Sequence, residues 1–213
     1  MIKNFFKNKK IGLNNGFTVI ETLVAITVLL LSIIGPMEIA SKGLFAAMYA
    51  RDEITAFYLG QEAIEYIRNA RDTSYIVDNF VVPSPGNSNW LYGLYVCFPF
   101  SDANPDGDGC IINTTEPFMD NNNALNALAI EACPNAGCPP LRYSEENGIY
   151  NYNSAKPVSK YTRTVKLLPK DNRGVIEEEA LIEVTVRWNS GSFFAGQRTF
   201  VIRERLLNWR SKD

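Results

Sequence analysis

The sequence predicts an α+β protein in which one long amino-terminal helix, apolar and then amphipathic, packs on a carboxy-terminal antiparallel β-sheet. Three observations carry that prediction. Phe17 to Ile34 form an 18-residue apolar run with a single charge, Glu21. Leu44, Met48, Ile54, Phe57, Tyr58, Ile64 and Ile67 then recur at spacings of three, four and their sums, as one face of a helix requires. Three β-branched and aromatic segments close the chain, Tyr161–Leu168, Ala180–Trp188 and Thr199–Leu206, and turn residues separate them at 171–174 and 189–191.

The amino end sets the class. The chain has 213 residues and a net charge of −2, but residues 1–16 carry Lys3, Lys7, Lys9 and Lys10 and no acid. The remainder holds 17 basic against 23 acidic residues, a net −6. An acidic body of that kind argues against broad nucleic-acid binding, which needs a positive field. The apolar run reaches the lower length limit for a membrane-spanning helix. Lysines before it predict a cytoplasmic amino terminus. An ordinary secretory signal is cut after its apolar core at a small-residue site, and Gly35-Pro36-Met37 is a poor one. The better junction is Gly16-Phe17, which discards a leader of residues 1–16 and keeps residues 17–36 as the membrane helix. The chain has no histidine, which excludes histidine-dependent triads, Cys–His dyads and His-containing zinc sites. A hydrolase built from carboxylates alone stays open, but no spacing singles out a pair of convergent acids, so a structural role is expected before an enzymatic one.

The segment Asn15-Gly16-Phe17-Thr18-Val19-Ile20-Glu21-Thr22-Leu23-Val24-Ala25 resembles the cleavage signal of type IV pilins and type II secretion pseudopilins. The close likeness covers about residues 9–36. It implies that a prepilin peptidase cuts after Gly16 and methylates the new terminus at Phe17. It also implies that Glu21 is the family's buried assembly acid. A carboxylate inside a membrane helix costs roughly 2.5–3.5 kcal/mol on insertion scales. The amine of a neighbouring subunit's Phe17 would relieve that cost. The plainer reading is a single-pass anchor whose acid reaches the interface. The implied partners are other pilin or pseudopilin subunits, the peptidase, a filament assembly platform and the membrane, with the head outside the cytoplasm.

Gly35-Pro36 predicts a kink or local melting, because proline removes a backbone donor and clashes one turn back. An amphipathic helix over residues 37–71 follows, its apolar stripe expected to support the sheet. The globular head spans 72–213, loop-rich over 72–160 and β-sheet over 161–209. Within the loop-rich part, Trp90–Phe98 reads as a buried strand and Ala124–Ala132 as a short helix. Ile182, Val184, Val186 and Trp188 are expected on one face of a three- or four-stranded sheet, with Glu183, Thr185 and Arg187 on the other. The closing strands also resemble, more loosely, those of PilV-type minor pilins, which implies a minor or tip subunit.

Candidate sites in the head are few. Asp102, Asn104, Asp106 and Asp108 place oxygens at positions 1, 3, 5 and 7 of a loop with Gly107 at 6, the opening half of a calcium loop. Position 12 is Asn113 where a bidentate glutamate belongs, so a solvated acidic turn competes with calcium as the reading. Cys97, Cys110, Cys133 and Cys138 allow three disulfide pairings, of which Cys97–Cys110 and Cys133–Cys138 are the shortest closures, and a four-thiolate zinc site is the rival. Trp90, Tyr92, Tyr150, Tyr152 and Trp209 offer either a contact patch or core packing. Arg198, Arg203, Arg205 and Arg210 are the sole basic cluster. The alternative function is therefore a membrane-tethered binding module, an adhesin or DNA-uptake receptor.

Overall fold

The computed structural model describes residues 16–78, 89–91, 93–99, 107–120, 125–134, 137–169, 179–190 and 196–209. The chain divides into two compact units, residues 1–48 and 49–213. One helix, α1 (Val19–Asp78), contributes to both.

In the first unit, Phe17, Val19, Ile20 and Leu31 are all more than two-thirds exposed. Polar side chains of this helix satisfy themselves. The Thr22, Thr27 and Ser32 hydroxyls donate to the carbonyls of Val19, Val24 and Leu29, each three residues back, at 2.8, 2.8 and 2.7 Å. Ser41 donates to the Met37 carbonyl four residues back at 2.9 Å. A hydroxyl bonded in this way presents mainly its carbon atoms outward. The helical backbone runs through Gly35 and Pro36, so the expected melting does not occur. Proline at this position deletes one hydrogen bond, and the turns already formed on either side hold the helix across the gap.

In the second unit α1 packs on a seven-stranded sheet in which every pairing is antiparallel. The strands are β1 (Cys110–Ile112), β2 (Ile130–Ala132), β3 (Pro140–Ser144), β4 (Ile149–Asn151), β5 (Val158–Pro169), β6 (Glu179–Ser190) and β7 (Gly196–Leu207). Strand β5 organises them. One edge pairs with β6, which pairs in turn with β7. The other is shared: β3 binds its beginning, β1 meets it at Val165, and β4 and β2 lie outside those two. The three long strands fall where the terminal segments predict them, and four short strands enlarge the expected sheet.

The period-two pattern of β6 decides its faces. Ile182, Val184 and Val186 are fully buried and Trp188 nearly so, whereas Arg187 on the alternate face is exposed. Burying each such aliphatic side chain contributes about 1.5–3 kcal/mol before chain entropy is counted. The helix face that meets the sheet differs from the expected stripe. It comprises Ala56, Leu59, Gly60, Ala63, Ile64, Ile67 and Ala70, while Ile54 and Tyr58 are 55% and 63% exposed. Small residues win these positions because β7 comes close: a Cβ on Gly60 would lie 3.1 Å from Ile202 Cγ2. A hydropathy pattern gives such residues little weight.

Two further expectations are corrected. Trp90–Phe98 is not a strand but contains two short 3-10 turns, Asn89–Leu91 and Tyr95–Cys97, with Gly93 between them at φ +78°. Trp90, Leu91, Leu94 and Cys97 are buried all the same, and a run of continuous apolar residues carries no period to separate turn from strand. The region 124–132 ends in β2, not in a helix. Registry with β1, through Cys110↔Ala132, Ile111↔Glu131 and Ile112↔Ile130, holds it extended against its local alanine-rich propensity.

Candidate functional site

The residues that carry the processing and assembly expectations lie at the start of α1. Gly16 and Phe17 precede the helix, and Thr18 occupies the position just before its first residue. The Glu21 backbone N–H donates to Thr18 Oγ1 at 3.3 Å. Thr18-Val19-Ile20-Glu21 thus has the spacing of a capping box, in which the hydroxyl satisfies an amide that the helix leaves open. That Thr-x-x-Glu signature is legible in the sequence, although the expectations drawn from Glu21 do not use it. Glu21 also sits in the first turn, where the helix dipole favours an anion. Among the described residues no donor reaches its carboxylate. From Thr22 to Met37 the chain has no charge. The next charged side chains, Glu38 and Lys42, pair with each other at 2.7 Å, one turn apart. α1 is the one helix among the described residues long and apolar enough to cross a membrane, and none of its apolar window is buried.

In the head, the strongest polar centre is Arg163. Alternation along β5 points Tyr161, Arg163, Val165 and Leu167 inward, and Arg163 is fully buried. Its Nη1 donates to the Leu59 carbonyl at 3.0 Å and to Glu62 Oε2 at 3.1 Å, and its Nη2 donates to the Ile112 carbonyl at 2.6 Å. One guanidinium therefore ties β5 to both α1 and β1. Glu62 also accepts from Thr114 Oγ1 at 2.5 Å. Arg163 Nε has no partner among the described residues. This arrangement positions structure and offers no substrate access.

The cysteines form two disulfides, Cys97–Cys110 and Cys133–Cys138. Both are anchored on the β1–β2 ladder, since Cys110 opposes Ala132 and the Cys133 N–H donates to the Gly109 carbonyl at 3.0 Å. Thiolate zinc is thereby excluded for these four residues. Gly109, at φ +93°, is required where it stands, because a Cβ there would be 2.5 Å from the Val165 carbonyl oxygen. Of the candidate calcium residues, Asp102, Asn104 and Asp106 lie outside the described residues. Asp108 is half-buried, and the neighbouring Gly107 carbonyl accepts from the Lys166 ammonium at 2.9 Å. That cation opposes a second positive charge nearby. Among the described residues no three His, Cys, Asp or Glu side chains converge as metal ligands do.

The surface candidates separate. Trp90 is buried, Tyr150 and Tyr152 are half-buried against the core, and Trp209 is exposed with its Nε1 donating to Asp72 at 3.4 Å. Tyr92 and Arg210 lie outside the described residues. On β7, Arg203 pairs with Glu183 at 2.7 Å, Arg205 with Glu179 at 3.3 Å, and Arg198 lies 5.5 Å from the ring centre of Tyr49. Three of the four arginines that sequence order groups, Arg198, Arg203 and Arg205, thus meet local partners. A groove of about 520 Å³ runs between α1 and the turn after β1, lined by Tyr66, Asn69, Thr73 and residues 114–119. Tyr66 donates to the Glu116 carbonyl at 3.0 Å, and burial, with the Glu116 charge second, pushes its phenol up to about 12. No family model, curated protein or solved structure matches this chain.

Proposed function

We propose that this chain is a prepilin-like structural subunit. It enters the membrane through the first part of α1, is cut between Gly16 and Phe17, is N-methylated at Phe17, and joins a type IV pilus or a type II secretion pseudopilus as a minor or tip component. The observation that carries this reading is Glu21: a lone acid in the first turn of an exposed apolar helix, directly after a basic leader and a Gly-Phe junction. Its carboxylate costs roughly 2.5–3.5 kcal/mol in lipid. A neighbouring subunit's Phe17 amine supplies the opposite charge when helices align, so assembly removes a penalty that the isolated subunit bears. The leader lysines favour a cytoplasmic start, and two disulfides suit a head in an oxidising compartment.

Amino-terminal sequencing of the mature protein tests processing: the expected first residue is N-methylated Phe17, and retention of residues 1–16 refutes it. Glu21→Ala is expected to leave membrane insertion intact while reducing incorporation into filaments several-fold, measured by comparing membrane and sheared-filament fractions. Equal incorporation refutes the assembly role. The adhesin or DNA-uptake alternative gains little support from β7, whose Arg203 and Arg205 are neutralised by Glu183 and Glu179.

A further inference from the structure

The turn that follows β1 carries Asn113-Thr114-Thr115, the only Asn-X-Ser/Thr triplet in the chain. That triplet is the acceptor signature for N-linked glycan, and a usable one needs an accessible turn in an exported domain. The backbone here is such a turn. The Glu116 N–H donates to the Asn113 carbonyl at 3.1 Å, and the Asn113 N–H is fixed to the Ala129 carbonyl at 2.8 Å. Thr115 and Pro117 are exposed and Asn113 is half-buried. The side chains are arranged as the reaction needs. Thr115 Oγ1 donates to Asn113 Oδ1 at 2.8 Å, while no acceptor among the described residues takes the Asn113 Nδ2 protons. Thr114 plays no part in that pair, because its hydroxyl is held by Glu62 on α1, which anchors the turn to the helix.

We propose that Asn113 is a glycosylation site, taking an oligosaccharide from a lipid-diphosphate donor outside the cytoplasm. A hydrogen bond to Oδ1 makes the amide N–H more acidic. The transferase's base removes a proton from Nδ2, the nitrogen forms a bond to the anomeric carbon of the first sugar, and the bond from that carbon to the diphosphate oxygen breaks. The lipid diphosphate leaves with the electron pair. The groove described above begins at this turn, and its lining mixes the ring of Tyr66 and the apolar Pro117 and Met119 with the amide of Asn69 and the hydroxyl of Thr73. A pyranose has one C–H face and a rim of hydroxyls, which matches such a surface. The first sugar rests there against α1.

The inference depends on export of the head, so the test reads both. Full-length protein from the native cells is analysed by mass spectrometry of the peptide containing Asn113, alongside protease accessibility of the head in spheroplasts. The expected result is a sugar mass on Asn113, removed by a glycoamidase that leaves aspartate at that position. The modification is expected to vanish in Asn113→Gln and Thr115→Val and to persist in Thr115→Ser, with circular dichroism of each variant confirming that the head still folds. Unmodified Asn113 on an accessible head overturns the glycosylation proposal alone. A head sheltered from protease overturns the export reading and the modification with it.

Discussion

Replacing Arg163 with alanine removes a side chain that ties α1, β1 and β5 together. The Ile112 carbonyl loses a donor at 2.6 Å, the Leu59 carbonyl loses its side-chain donor at 3.0 Å, and Glu62 loses a cation at 3.1 Å. Each buried acceptor left open costs about 1–3 kcal/mol, although Leu59 sits mid-helix and keeps its own backbone partner. Glu62 is 40% exposed, so its share is that of a surface pair, about 0–1 kcal/mol. Removing the arginine also leaves a cavity. These terms place Arg163→Ala at about 3–5 kcal/mol, the range for breaking a buried charged contact. For a unit of this size the loss corresponds to a melting shift of roughly 6–20 °C. The assay is thermal unfolding of the full chain in detergent, disulfides intact, followed by near-ultraviolet circular dichroism. Arg187→Ala, on the exposed face of β6, is the control and is expected to change stability by about 0.5 kcal/mol or less. A shift below about 2 °C for Arg163→Ala refutes the reasoning. So does a Glu62→Gln variant as damaged as Arg163→Ala, since the carbonyls would then not be the main partners.

Two other outcomes are expected. Loop length ranks the disulfides: Cys97–Cys110 spans 13 positions and Cys133–Cys138 spans 5, which the chain-entropy relation converts to about 3 and about 2 kcal/mol. Urea titrations of the paired serine variants check the order, and a larger loss for the shorter loop contradicts it. Alkali should also destabilise the head. The unfolded Tyr66 phenol ionises near 10, while the folded one holds its proton to about 12. Its contribution is thus complete below about pH 10 and is lost as pH rises through about 12. Tyr152 shifts in the same direction through burial. Tyr66→Phe is expected to flatten that alkaline limb while lowering neutral stability by about 1 kcal/mol, the Glu116 hydrogen bond. An unchanged limb counts against it.

Legibility in the sequence followed the kind of pattern each segment carries. The apolar helix and the three long strands announce themselves by period, and Ile182, Val184, Val186 and Trp188 point inward as alternation requires. The same alternation places Arg163 in the core, a conclusion that its charge hides unless the neighbouring Tyr161 and Val165 are read first. The sheet-facing row of α1 is hidden because close approach selects alanine and glycine, which hydropathy scales rate low. Trp90–Cys97 is hidden for another reason: its continuous apolar run has no period to tell a buried turn from a buried strand. The Thr18–Glu21 cap lies within a segment dominated by the lone acid and its membrane cost. For the candidate calcium loop, three of four proposed ligands fall outside the described residues.

The divided edge of β5 has a consequence for biogenesis. β1 and β3 come earlier in the chain than the strand on which both depend, so neither can dock until residues beyond 158 have been made. During synthesis, cysteines at 97, 110, 133 and 138 emerge before their template exists. Oxidation in that interval can join the wrong thiols, and a delay in supplying the last third of the polypeptide prolongs the exposure. A ribosome released before β5 would leave the middle of the head with no place to settle.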